Sequence, residues 1–163
     1  LFVTHGAVFL ALKTRGEVRA RANATAGRVG LVAAALAVAF LAWTLGIRRS
    51  PAAVVLALIA ALALVAALLA NRVRRDGWAF LGTAVCIGSA VAALFAALFP
   101  DVMPSTVDPA ANSLTVHNAS STPYTLKIMT WVAVVFTPIV LVYQGWTYWV
   151  FRRRIGVRDI PPA

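Results

Sequence analysis

Apolar residues run along this chain in unbroken blocks, not at alternate positions. Five blocks stand out, at residues 1–12, 29–47, 51–70, 78–99 and 124–151. A helix rises ~1.5 Å per residue, so about 20 apolar residues cross the ~30 Å hydrocarbon core of a bilayer. The last four blocks reach that length. The first covers only about 18 Å. It opens on Leu1 with neither an initiator methionine nor a basic leader, which makes it a poor signal peptide. It reads as the back end of a helix whose front is missing, with a short re-entrant or interfacial segment as the alternative. In lipid every backbone N–H and C=O needs a partner within the protein, and barrel strands, the only substitute for helices, alternate polar and apolar residues. The chain shows no such alternation. The expected fold is all-α: a polytopic transmembrane helix bundle of four full spans (29–47, 51–70, 78–99, 123–152) and one truncated span (1–12). Residues 100–122 form an outer loop, and 1–163 one transmembrane domain.

Composition agrees. Of 163 residues 61% are hydrophobic and 12% charged, and mean hydropathy is +0.85. A soluble domain carries about twice that charge. The net charge of +10 orients the chain. The segment holding Lys13, Arg15, Glu17, Arg19, Arg21 and Arg28 is net +4, Arg72 to Asp76 net +2, and the tail from Arg152 to Asp159 net +3. On the alternate side Arg48 and Arg49 give +2, and the long loop with Asp101, Asp108 and Lys127 gives −1. Nine positive charges thus face one. The positive-inside rule puts the C-terminus in the cytoplasm and the long loop outside, with Arg48 and Arg49 discordant. The basic balance serves membrane orientation and does not mark a nucleic-acid partner.

Little titrates within the spans. All five acidic residues lie at helix ends or in loops, whereas intramembrane carboxylates mark proton relays and coupled transport. His5 lies inside the first block. It is either a haem ligand or proton relay, or a histidine hydrogen-bonded to a neighbouring helix. The other histidine, His117, falls in the outer loop, and Met103 and Met129 fall near the outer side, so no pair of axial ligands closes within the chain. One cysteine, Cys86, allows neither an internal disulfide nor a zinc site. It belongs to a stripe of small residues (Gly82, Cys86, Ala90, with Ser89 and Ala93) matched by Ala53, Ala57 and Ala61 on the preceding span, the pattern of closely packed membrane helices.

The last span carries most information. Thr122-Pro123 predicts an N-cap followed by proline at the first helical position, and the helix is expected to run to about Arg154. Pro138 is expected to kink it. Thr130, Thr137 and Gln144 recur every seven residues and share a face that should meet another helix. Tyr143, Trp146, Tyr148 and Trp149 form an interfacial aromatic belt before Arg152–Arg154; a quinone head-group pocket there is the alternative.

Three stretches, HGAVFLALKT (from His5), FPDVMPSTVDPAANSLTVHNASSTPYTLKIM (from Phe99) and WVAVVFTPIVLVYQGWTYWVFRRR (from Trp131), resemble subunit II of the cytochrome bd-type quinol oxidases. Family members are roughly twice this length, so the chain resembles the C-terminal half of such a subunit. The resemblance implies a bacterial cytoplasmic-membrane oxidase that oxidises quinol and reduces oxygen to water at haem b and haem d. Those haems are held by subunit I, which partners this chain together with its own N-terminal half, lipid and a small accessory subunit. Subunit II then has a structural role and, largely through its first half, contributes to proton or oxygen access. The resemblance places the haems toward the outer face, so the polar stretch 113–127 is expected to pack as a lid at the subunit interface. Its Ser113, Thr115, His117, Asn118, Ser120 and Ser121 would serve loop backbone that water does not reach; a mobile solvated loop is the alternative. Asn118-Ala119-Ser120 and Asn23-Ala24-Thr25 both match the glycosylation sequon, one on each side of the membrane, so the match carries little weight. The competing functional classes are half of a paired-repeat transporter or channel, and a membrane scaffold without redox chemistry.

Overall fold

The computed structural model describes residues 1–47 and 50–156. Arg48 and Arg49, the discordant basic pair, and the tail charges Arg158 and Asp159 lie outside the described residues. The fold is nearly all-α, with four helices long and apolar enough to cross a membrane and one short apolar helix before them. In chain order these are α1 (Phe2–Lys13), α2 (Gly16–Ile47), α3 (Pro51–Arg72), α4 (Asp76–Leu98), β1 (Asp101–Met103), α5 (Pro109–Asn112), β2 (Leu114–Thr115) and α6 (Pro123–Val150). The chain divides into two compact units, Leu1–Leu98 with the stretch that begins at Arg154, and Phe99–Arg153.

In the first unit α1 packs on α2, α2 on α3, α3 on α4, and α4 back on α1. Short connections make neighbours antiparallel. Gly16, at φ +65°, turns the chain from α1 into α2, a backbone conformation glycine adopts without a Cβ penalty. Here the expected loop at 13–28 gives way to helix: α2 begins at Gly16 and runs for 32 residues, about 48 Å. The reason lies in the local sequence. Between Glu17 and Ala26 there is neither glycine nor proline, alanine and arginine favour helix, and Arg21 pairs with Glu17 one turn back. Charge marked that stretch as leaving the bilayer but not as leaving the helix.

The α3–α4 contact is made by small residues. On α3 the buried positions are Ala53, Ala57, Ala60, Leu64, Ala67 and Asn71, and on α4 they include Ala79, Thr83, Cys86, Ala93 and Ala97. The expected stripe on α3 thus continues through Ala60, while Ala61 is half-buried, because a 3.6-residue turn drifts from a strict four-residue step. Ser50 closes the far end: its hydroxyl caps α3 by accepting from Ala53 N at 3.1 Å and donates to Ala96 O at 3.0 Å.

In the second unit the loop is ordered by an antiparallel pairing of β1 with β2, with Asp101 opposite Thr115 and Met103 opposite Leu114. These short strands are an addition to the all-α expectation. α6 starts at the expected cap, where the Thr122 side chain accepts from Thr125 N. It continues through Pro138 as one helix and stops at Val150, short of the expected end. Arg154 and Ile155 instead belong to the first unit. Ile155 N donates to Lys13 O at 2.8 Å, and Arg15 N donates to Ile155 O at 3.0 Å, so these residues take backbone partners that exclude helix.

Close approach of α4 to the α3 backbone is testable at Gly82. A Cβ there would lie 2.9 Å from Ala67 Cβ and 3.1 Å from Ala63 O, so Gly82→Leu should destabilise the bundle by ~1–3 kcal/mol, the usual penalty of overpacking. Gly88, where a Cβ meets nothing within 4 Å, is the control. Thermal unfolding of the detergent-solubilised protein should show a lower midpoint for Gly82→Leu than for Gly88→Leu.

Candidate functional site in the buried polar layers of the bundle

The first unit buries its polar side chains in two layers near the end where α1 meets α2 and α3 meets α4. The outer layer centres on Asp76, the first residue of α4, whose side chain is 0% exposed. Its Oδ2 accepts from Arg19 Nε at 2.9 Å and from Arg154 Nη2 at 3.1 Å, and Arg19 Nη2 lies 2.8 Å from it as an ion pair. The two guanidinium groups are each about one third exposed, at 32% and 33%. A carboxylate at a helix N-terminus also meets the positive end of the helix dipole. One buried charge therefore ties together α2, α4 and the segment after α6. Arg19 Nη2 further donates to Arg74 O at 3.3 Å, which holds the α3–α4 turn, where Arg74 itself sits at φ +58°.

Beside this knot, Asn23 Nδ2 donates to Arg19 O at 3.1 Å, and Asn71 Nδ2 donates to Asn23 O at 3.1 Å. Both asparagines are buried. Asn23 is thus a helix-interior contact, and its sequon is a coincidence of composition. Four buried oxygens have no hydrogen-bond partner among the described residues: Asp76 Oδ1, Asn23 Oδ1, Asn71 Oδ1 and Thr4 Oγ1.

The inner layer holds His5. Its Nδ1 lies 2.7 Å from Thr83 Oγ1, and its ring stacks on Phe80 with centroids 4.7 Å apart and planes 26° from parallel. Thr83 Oγ1 is also within reach of Phe80 O at 2.9 Å and Ala79 O at 3.1 Å. A hydroxyl has one proton, so donation to a carbonyl makes Nδ1 the protonated ring nitrogen, and donation to Nδ1 leaves it on Nε2. With Phe80 on its face and Thr83 on one edge, His5 is built into the α1–α4 contact. A haem iron needs an axial nitrogen facing open space and commonly a second ligand opposite. The described residues of this unit place neither methionine nor a second histidine near His5, so they do not fit a haem. Among the described residues no group of three or more His, Cys, Asp or Glu side chains is placed to hold a metal ion. Cys86 is buried and lines an apolar cavity of about 420 Å³ with Leu1, Phe2, Phe40, Leu64 and Leu94.

The remaining sequence candidates all fall in the second unit. Ser113, Thr115 and Asn118 come together: Asn118 Oδ1 accepts from Thr115 N at 2.6 Å, Asn118 Nδ2 donates to Ser113 O at 3.0 Å, and Ser113 Oγ accepts from Ser105 N at 3.1 Å. Thr115 Oγ1 accepts from Asn118 N at 3.2 Å and His117 N at 3.3 Å. His117, Ser120 and Ser121 lie exposed on the same loop. Along α6, Thr130, Thr137, Pro138 and Gln144 are exposed, as are Tyr143, Trp146, Tyr148 and Trp149. Arg152 stands 4.8 Å over the Trp149 ring. Sequence reasoning missed Asp76, Arg19, Arg154, Asn23 and Asn71 as a group. One signal was available: Asn71 sits four residues past Ala67, continuing the small-residue stripe of α3.

Comparison with known proteins gives one consistent result. Residues 1–151 match the family model for cytochrome bd terminal oxidase subunit II. The chain is 34% identical over 160 residues to cytochrome bd ubiquinol oxidase subunit 2 of Bacillus subtilis (strain 168), covering 95% of this chain and 47% of that protein. It is 32% identical over 197 residues to cytochrome bd-I ubiquinol oxidase subunit 2 of Escherichia coli (strain K12), covering 98% of this chain and 51% of that one. A probable cytochrome oxidase subunit 2 of Haemophilus influenzae is 31% identical over 185 residues. The chain spans about half the length of the curated relatives it matches. None of these matches supports the paired-repeat transporter reading.

The His5 contact makes a direct test. Thr83→Val keeps the volume but removes the hydroxyl, leaving a half-buried ring nitrogen unpaired, which should cost ~1–3 kcal/mol. Thr44→Val removes a hydroxyl that donates to the carbonyl of Phe40 in its own helix and should change stability by less than about 0.5 kcal/mol. Equal melting temperatures for the two variants would show that His5 does not depend on Thr83.

Proposed function

The chain belongs to the cytochrome bd terminal oxidase subunit II family, and we propose that it is the C-terminal half of the structural subunit of a quinol-oxidising, oxygen-reducing membrane complex. The match along residues 1–151 to subunits so named carries this reading. In it, haem b and haem d, quinol oxidation and oxygen reduction reside with subunit I. This chain, its N-terminal half and a small accessory subunit complete the assembly. What supports the division of labour is the use this chain makes of its polar groups. The carboxylate of Asp76 is engaged by two arginines, and His5 by Thr83 and Phe80, in contacts that join helices. The face of Thr130, Thr137 and Gln144 on α6 is the surface offered to another helix, because an amide facing lipid is unfavourable. The ordered loop around Ser113, Thr115 and Asn118 is the surface offered to subunit I.

The proposed orientation puts the C-terminus in the cytoplasm. It gains support from the meeting of Arg19, Asp76 and Arg154 at one end of the first unit, since these come from the three net-positive segments. In a Cys86→Ala background, Ser120→Cys should react with an impermeant thiol reagent from outside intact cells. Reaction only after permeabilisation would reverse the orientation.

The functional reading is tested by tagging the full-length subunit that contains this chain. The complex purified through that tag should show a reduced-minus-oxidised haem spectrum and quinol-dependent oxygen uptake, whereas the same subunit expressed without its partner should show no haem. Haem bound stoichiometrically to the lone subunit and lost in His5→Ala would place cofactor chemistry in this chain.

A further inference from the structure

A second feature of the basic end is a cavity of about 280 Å³ between α2 and α3, distinct from the Asp76 knot. Arg28, Arg72 and Arg74 form its rim, and all three are exposed. Among the described residues no carboxylate pairs with any of them: Glu17 is held by Arg21, and Asp76 by Arg19 and Arg154. The cavity wall holds the two buried asparagines, whose amide nitrogens are already committed to backbone carbonyls. Their oxygens, Asn23 Oδ1 and Asn71 Oδ1, are buried acceptors without a donor. Leu31 and Leu68 line the side that leads into the apolar stretches of α2 and α3.

The arginines and the leucines specify an occupant. The guanidinium groups call for an anion, with phosphate geometry suited to them. The leucines call for hydrocarbon. We propose that this cavity binds an anionic phospholipid of the phosphatidylglycerol class. The phosphate lies among Arg28, Arg72 and Arg74, and an acyl chain follows Leu31 and Leu68. The proposal rests on the orientation proposed above, which puts this end at the cytoplasmic boundary, where basic pockets between helices take lipid headgroups for this electrostatic reason. A zwitterionic ethanolamine lipid supplies donors but no net charge, and free phosphate supplies charge but no tail.

The purified complex containing the full-length subunit provides the test, with retained lipid counted by mass spectrometry after detergent washing. Arg28→Gln and Arg72→Gln remove charge from the rim. Gly27→Leu fills the space instead, since a Cβ at Gly27 already comes within 3.6 Å of Asn71 Nδ2, and it leaves every charge and both asparagines in place. The wild-type complex should retain one more phosphatidylglycerol than Gly27→Leu. Each arginine substitution should weaken rebinding of added phosphatidylglycerol about fivefold, the ratio equivalent to ~1 kcal/mol per basic residue at a membrane surface. Added phosphatidylglycerol should raise the melting temperature of the wild type and not that of Gly27→Leu. Equal retention in wild type and Gly27→Leu would overturn the proposal. So would a thermal shift of the same size from inorganic phosphate, which makes the site one for a free anion, or from phosphatidylethanolamine, which removes the charge requirement.

Discussion

The Asp76 carboxylate, buried between Arg19 and Arg154, is the contact on which the rest of the first unit depends. Burying a carboxylate is unfavourable by several kcal/mol even after relaxation, and its neighbours must compensate. Two guanidinium groups on one oxygen do so, and each brings a different part of the chain. Arg19 belongs to the extended start of α2, Asp76 opens α4, and Arg154 follows α6. Because Arg19 also takes the carbonyl of Arg74, the α3–α4 turn is fixed by the same side chain. Removing either arginine leaves the buried carboxylate with one partner fewer, so the worth of the group lies in geometry as much as in net stability.

Beyond that knot, packing takes over. In lipid the apolar side chains gain little by leaving the bilayer for a protein interior, so helices associate through close fit. The run of alanines on α3 against Ala79, Thr83, Cys86 and Ala93 on α4 supplies that fit, and at Gly82 a Cβ would meet the α3 backbone at 3.1 Å. Polar side chains appear where they can bridge helices: Ser50 joins α3 to Ala96 O, Thr83 meets His5, and Asn71 meets Asn23 O. Buried polar side chains in the first unit thus serve largely to join one helix to another.

Much of this was legible in the sequence, and the misses have physical causes. Block length against bilayer thickness placed α3, α4 and α6, because hydropathy reports transfer into lipid directly. The same criterion missed the first turns of α2, since a helix continues into water wherever local propensity permits, and Arg19 and Arg21 favour helix while opposing insertion. It carried α6 too far, because Arg154 is drawn by a carboxylate 78 residues away that no local pattern reveals. The roles of Ser113, Thr115 and Asn118 in binding loop backbone followed from side-chain chemistry, but the β1–β2 pairing they brace did not, as strands of two and three residues carry no periodicity. Asp76 itself was visible as a charge and invisible as a buried one.

A double-mutant cycle on the purified complex tests the role of Asp76 most directly, with unfolding and turnover per retained haem measured on Asp76→Asn, Arg19→Gln, Arg154→Gln and the paired variants. If the carboxylate is a structural tie, Asp76→Asn should destabilise by ~3–5 kcal/mol. The losses with each arginine should then be strongly non-additive, with coupling of ~0.5–3 kcal/mol, and turnover per haem should stay constant. Additive losses would mean that the three side chains do not act together. Stability unchanged in Asp76→Asn while turnover per haem collapses would contradict the structural reading and place this carboxylate in the oxidase chemistry.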